Sequence, residues 1–121
     1  MLPVLRDRIA TSRLRNVTPV FGLSEDPLLP PRMCDMVLMV NTFHHMHTPA
    51  DYLRRIAQAL RAGGRIVNVD FHEGELPVGP EPGHKLSRAQ FLDVASQAGL
   101  ELAAEETFLP YQYFLQLRTA A

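Results

Sequence analysis

Met36-Val37-Leu38-Met39-Val40 is an uninterrupted apolar run of strand length. A strand that is apolar on both faces belongs inside a sheet covered by helices on each side. The residues after this run fix its connection. Thr48 is an N-cap residue for a helix with Pro49 at its first position and Asp51 in its first turn, where proline's fixed φ and the positive end of the helix dipole suit both. Leu53, Ile56, Ala57 and Leu60 supply an i, i+3, i+4, i+7 stripe, and Gly63-Gly64 is the expected stop. Residues 65–71, Arg-Ile-Val-Asn-Val-Asp-Phe, read as the next strand. Strand, helix and strand joined this closely form a βαβ unit, which requires a parallel pair and a right-handed crossover.

Around this unit the pattern is looser. Residues 2–14 place Leu2, Leu5, Ile9 and Leu14 near one helical face, with Pro3 in the first turn where proline is tolerated. Residues 16–21 read as a short strand, and Pro19 suits an edge. Residues 22–32, with Pro27, Pro30 and Pro31, read as a loop. The turn-rich stretch 72–85 is long enough to be a functional loop. Ser87-x-x-Gln90 is a capping box for a helix carrying Phe91, Val94, Ala95 and Ala98 on one face and ended by Gly99. Residues 100–108 and 111–118 alternate as strands, and so short a connection at Leu109-Pro110 permits only an antiparallel hairpin.

Composition narrows the function classes. A chain of 121 residues with 46% hydrophobic content holds one small core, and its net charge of −1 lacks the basic excess of a nucleic-acid binder or an anionic-membrane binder. No apolar run approaches the ~20 residues that span a bilayer, and the start has no signal-peptide pattern. One cysteine, Cys34, excludes an internal disulfide framework and fits a reducing compartment. A cytoplasmic location is the expectation.

The stretch from Cys34 to Phe71, with Asn41-Thr42-Phe43-His44-His45 closing one strand, the Pro-started helix, Leu60-Arg61-Ala62-Gly63-Gly64-Arg65, and Val69-Asp70-Phe71 closing the next, resembles the second half of the class I S-adenosylmethionine-dependent methyltransferase core. Pro77-Val78-Gly79-Pro80, Ala98-Gly99 and Leu109-Pro110-Tyr111-Gln112-Tyr113-Phe114 resemble the tail of bacterial small-molecule methyltransferases of that superfamily. The resemblance implies an α/β fold: an incomplete Rossmann-like methyltransferase fold, residues 1–121 forming one partial domain, with a mainly parallel sheet and a C-terminal antiparallel hairpin. It implies S-adenosylmethionine as cofactor and a small-molecule methyl acceptor as substrate. The family's glycine-rich cofactor turn and ribose-binding acid have no counterpart in this sequence. Gly63-Gly64 is no substitute, because it follows a helix, whereas cofactor-cradling amides need a strand-to-helix turn. The isolated chain is therefore expected to hold the cofactor poorly.

The resemblance also places candidate residues. Glu25 and Asp26 fall in the loop that borders adenine in the family and can accept a bond from its amino group, or serve as ordinary turn residues before Pro27. Asn41, at the end of a buried strand beside the sheet's switch point, can meet the methionine part of the cofactor, or be a turn residue. His44, His45 and His47 invite a metal reading, but neighbouring histidines after a strand diverge and do not converge on a tetrahedral ion. No metal is expected. With an unperturbed pKa of ~6.5, His44 or His45 suits a general base, against the commoner outcome of one histidine packed under the helix and the others solvated. Asp70, His72, Glu73 and His84 flank or lie in the loop that overhangs the family's substrate site.

Without the family's first strands, residues 36–40 become an exposed apolar edge, which is a pairing hazard. Either residues 16–21 pair directly onto that edge, or a second chain covers it, as a homo-oligomer or a complementing N-terminal segment. Two functional classes remain open: part of a small-molecule methyltransferase, or a non-catalytic remnant that binds a partner or itself through the open edge.

Overall fold

The computed structural model describes residues 2–72, 76, 77, 79 and 85–120. Its elements run α1 (Leu2–Ser12), β1 (Cys34–Val40), a single 3-10 turn (Phe43–His45), α2 (Pro49–Gln58), β2 (Leu60–Phe71), α3 (Arg88–Gln97), β3 (Leu100–Glu106) and β4 (Gln112–Thr119). The four strands form one sheet in the order β1-β2-β4-β3.

The expected parallel pair is present: β1 runs beside β2 with Val37 opposite Ile66 and Val40 opposite Val69, and α2 makes the crossover. The expected hairpin is present too, β3 and β4 pairing antiparallel. Its second strand folds inward against β2, also antiparallel. The sheet is therefore mixed and not mainly parallel as expected. One junction of three is parallel: α2 carries the chain from β1 to its neighbour β2, whereas the connection through α3 carries it from β2 to the far edge strand β3, and β4 returns between them against both its neighbours.

Three local expectations also give way. Residues 16–21 form no strand, since no neighbouring strand offers them a ladder and Pro19 cannot donate to one. They do not pair onto β1. Gly63-Gly64 does not stop α2, which ends at Gln58 with Ala59 as its C-cap. The pair instead lies where β2 shifts register against β1, Cys34 facing Leu60 but Met36 facing Arg65, and Gly63 takes a φ of +79°. Thr48 caps α2 only through its carbonyl, which accepts from the Tyr52 N–H, and its hydroxyl makes no cap bond.

The main core cluster lies on one face of the sheet, and Val67 and Val69 of β2 are buried on the other. Met39, Ile66, Leu115 and Leu117 point toward Leu53 and Ile56 of α2 and Phe91 and Ala95 of α3. Phe43, from the turn after β1, meets Phe91 edge-on at 5.2 Å between ring centroids. The Ser87 capping box forms in full: its hydroxyl accepts from Gln90 N–H, and the Gln90 side chain accepts from Ser87 N–H. That start fixes α3 across the sheet. Among the described residues no helix is long and apolar enough to cross a membrane.

Candidate functional site

The parallel pair ends both its strands at one end of the sheet, and the antiparallel β4 begins there, Gln112 lying opposite Phe71. The polar residues of that end are held by this arrangement. Asn41 leaves β1 in the left-handed region, φ +56°, which asparagine tolerates better than other side chains. Its N–H donates to Val69 O at 2.8 Å, and its Oδ1 accepts from Gln112 Nε2 at 2.6 Å. Among the described residues no hydrogen bond is made by the Asn41 amide nitrogen.

The turn after Asn41 carries His44 back over the end of β2. Its Nδ1 lies 2.9 Å from both carboxylate oxygens of Asp70, with the two side chains only 4% and 2% exposed. Asp70 Oδ1 also accepts from the Phe71 N–H at 2.9 Å. A buried carboxylate needs such donors, and Asp70 holds the imidazole at Nδ1, the ring nitrogen within hydrogen-bond reach of it. The His45 ring lies against that of His44 at 4.0 Å between centroids, tilted by 49°, and His45 is itself exposed, as is His47.

Below this pair the polar row continues into the core. Tyr113, opposite Asp70 on β4, donates its hydroxyl to Leu86 O at 2.9 Å. Burial, and then the Asp70 charge, push its phenol well above the ordinary tyrosine range. The fully buried Asn68 amide opposes that shift slightly, yet neither its nitrogen nor its oxygen makes a well-formed hydrogen bond.

Other candidates lie apart. Asp26 Oδ1 accepts from Leu28 N–H, and its Oδ2 accepts from Arg55 on α2 at 2.9 Å. It also helps raise the Tyr52 phenol pKa, after burial. Asp26 thus ties the 22–31 segment to α2, and no described hydrogen bond links it to Asn41. Glu25 is exposed beside it. His72 is exposed, its N–H donating to Tyr111 O and its ring 6.1 Å from that of Tyr113. Glu73 and His84 lie outside the described residues. Among the described residues no three His, Cys, Asp or Glu side chains converge on a common point.

Sequence reasoning names His44 and Asp70 for separate roles, 26 positions apart, and misses that they are partners. The available signal is the carboxylate itself: in Val67-Asn68-Val69-Asp70, between apolar neighbours, it must find a donor. Gln112 carries no comparable signal.

A mouth of this kind, at the carboxyl ends of a parallel pair and beside a reversed final hairpin, is where open α/β sheets take ligands. The profile of a methyltransferase domain family matches residues 1–68, more than half of the chain. The chain belongs to the class I S-adenosylmethionine-dependent methyltransferase domain family. No curated protein matches it by sequence.

Solved structures share the fold. A SAM-dependent methyltransferase from Aquifex aeolicus superposes with a TM-score of 0.86 at 19% identity over 93% of this chain, which spans 60% of that one. A putative type 11 methyltransferase from Sulfolobus solfataricus gives 0.78 at 16% identity over 100% of this chain and 69% of its own. An O-methyltransferase from neocarzinostatin biosynthesis, in complex with S-adenosyl-L-homocysteine and 1,4-dihydroxy-2-naphthoic acid, gives 0.74 at 22% over 96% of this chain and 38% of its own.

The residues present fit the family's cofactor only in part. Asn41 stands at the mouth, but the β1-to-α2 connection, residues 41–48, holds no glycine and so no glycine-rich turn whose amides would cradle the methionine end.

Proposed function

We propose that these residues form the acceptor-side half of a methyltransferase that uses S-adenosylmethionine to methylate a small molecule. Asn41 stands at the methionine end of the cofactor, and Asp70 orients His44 as the proton acceptor for the substrate, with His45 and His72 at the rim. The observation that carries this reading is the contact of His44 Nδ1 with both oxygens of Asp70 at the open end of the parallel pair. An imidazole so fixed presents one defined nitrogen, which is what removing a proton from a nucleophile requires. Methyl transfer from a sulfonium otherwise needs mainly alignment and exclusion of water. Small-molecule acceptors fit the neocarzinostatin-pathway relative, whose complex holds a dihydroxynaphthoic acid.

Calorimetry separates the parts of this reading. The 121-residue chain titrated with S-adenosylhomocysteine is expected to give no micromolar binding, since the cradle is elsewhere. Joined to a glycine-rich cofactor half, it is expected to bind and to transfer labelled methyl groups to a member of a panel of phenols and amines. His44→Ala should lower kcat much more than cofactor affinity. A joined protein that binds the cofactor but methylates nothing in the panel, or one whose kcat ignores His44, counts against the proposal.

A further inference from the structure

We propose that Gln112 is a positioning residue of the candidate site: by donating to Asn41 Oδ1 it commits the Asn41 side chain to offer its nitrogen, so that the ligand group Asn41 meets is an acceptor oxygen. This rests on the reading of Asn41 as a cofactor contact. The group met at that end is then the methionine carboxylate and not the methionine ammonium, which can only donate.

The contact is built from two fixed ends. Asn41 holds a left-handed backbone, φ +56°, and its N–H is tied to Val69 O at 2.8 Å. Gln112 opens β4 in the ladder opposite Phe71. Because β2 lies between β1 and β4, the 2.6 Å contact from Gln112 Nε2 to Asn41 Oδ1 spans the end of the strand between them. Both residues are half-buried, where a hydrogen bond is stronger than it is in open water.

The neighbours of Gln112 keep it in place. Tyr111 O accepts from the His72 N–H at 2.9 Å, and the Tyr113 hydroxyl donates to Leu86 O at 2.9 Å. Successive side chains of a strand point to opposite faces, so Tyr113 shares the face of Asp70, its partner in the ladder, and Gln112 is turned the other way. Three consecutive residues thus tie down the residue that leaves β2, the residue that leaves β1 and the residue before the α3 cap.

The chemistry of the amide gives the contact its meaning. A primary amide has one accepting oxygen and one donating nitrogen. With the oxygen held by Gln112, the Asn41 nitrogen makes no hydrogen bond among the described residues and is the atom left for a ligand. Ordering a glutamine side chain costs as much as one neutral hydrogen bond returns, so the contact does little for stability. Its effect is on which end of Asn41 is presented.

Exchange of side-chain amide protons with water, followed by NMR in the 121-residue chain, tests the positioning with no cofactor present. The Gln112 protons should exchange at least about 10-fold more slowly than those of Asn41. Gln112→Glu, whose carboxylate only accepts, should reverse Asn41, so that its nitrogen turns to the carboxylate and its protons become slow. In the protein joined to a cofactor half, calorimetry should find S-adenosylhomocysteine bound about 10-fold or more weakly by this variant, and only about threefold more weakly by Gln112→Leu, which releases Asn41 without reversing it. Slow Asn41 protons in the unsubstituted chain would mean that the bond runs the other way and would overturn the inference, as would fast exchange at both amides. Equal affinity of the joined protein and its Gln112→Glu variant also overturns it. If the joined protein binds no S-adenosylhomocysteine at all, the cofactor reading fails, and the exchange pattern alone decides the role of Gln112.

Discussion

His44 and Asp70 are each buried, and neither has an alternative described side-chain partner, so each is costly without the other. His44→Ala leaves a buried carboxylate with only the Phe71 N–H, and unfolding in urea should show a loss of roughly 1–3 kcal/mol. Asp70→Asn keeps the volume and can still accept from Phe71, so its stability loss should be smaller. It should instead move the proton on His44 from Nδ1 to Nε2, visible in the nitrogen chemical shifts of the ring. If that tautomer does not change, Asp70 does not orient the imidazole. Tyr113 makes a prediction about pH. Its folded pKa is raised above the ordinary 10.0 by burial and by Asp70. The folded state therefore holds the proton more tightly than the unfolded one, and this contribution is complete below pH 10 and is lost as pH rises beyond it. Tyr113→Phe should flatten the alkaline loss of stability, at a cost of about 1 kcal/mol at neutral pH for the bond to Leu86 O. Of this residue-level site, the sequence shows which side chains are unusual for their place, Asn41 and Asp70 above all. It does not show who partners whom, because contacts between residues 26 or 71 positions apart depend on the fold.

Among the elements, those that were legible carry their own signals. The stripe of α2 and the capping box of α3 are local patterns: α3 forms where its box places it, and α2 forms over Leu53, Ile56 and Ala57 but ends at Gln58, before Leu60, which opens β2. The β1–β2 pairing comes from the crossover between them. Residues 16–21 have strand-like composition, but a strand is made by its neighbour, and among the described residues no strand pairs with them. Gly63-Gly64 misleads for a related reason. The pattern of a helix followed by two glycines suggests a C-cap, yet the helix has ended at Gln58, and the glycines serve the register shift of β2. Gly64 is the tighter of the two: a Cβ there would come within 2.9 Å of Arg61 O and 3.1 Å of the Leu60 Cβ. Gly64→Ala is expected to destabilise the chain by roughly 1–3 kcal/mol through this overpacking. Gly64→Ala with unchanged stability in urea would mean that the register shift relaxes freely.

At the scale of the whole molecule, the core is uneven, its main cluster on one face of the sheet and Val67 and Val69 of β2 buried on the other. Helices α2 and α3 cover one face of the sheet, while the opposite face of β1 offers Met36, Leu38 and Val40 to water. Residues 36–40 read in the sequence as a strand to be covered on both sides, and among the described residues the helices of the main core cluster lie on one. Such a surface is tolerated energetically, because apolar groups left in water forgo stabilisation without breaking what is already folded, but it invites association. The two effects are separable at Leu38. Its side chain is 59% exposed, so Leu38→Lys removes few packed contacts and should change the unfolding free energy by no more than about 0.5 kcal/mol. The same charge, placed on the bare edge, should raise the concentration at which the chain precipitates and weaken its binding of hydrophobic dyes. A large loss of stability would mean that Leu38 already packs against part of this chain, and the open side of the sheet would then be closed.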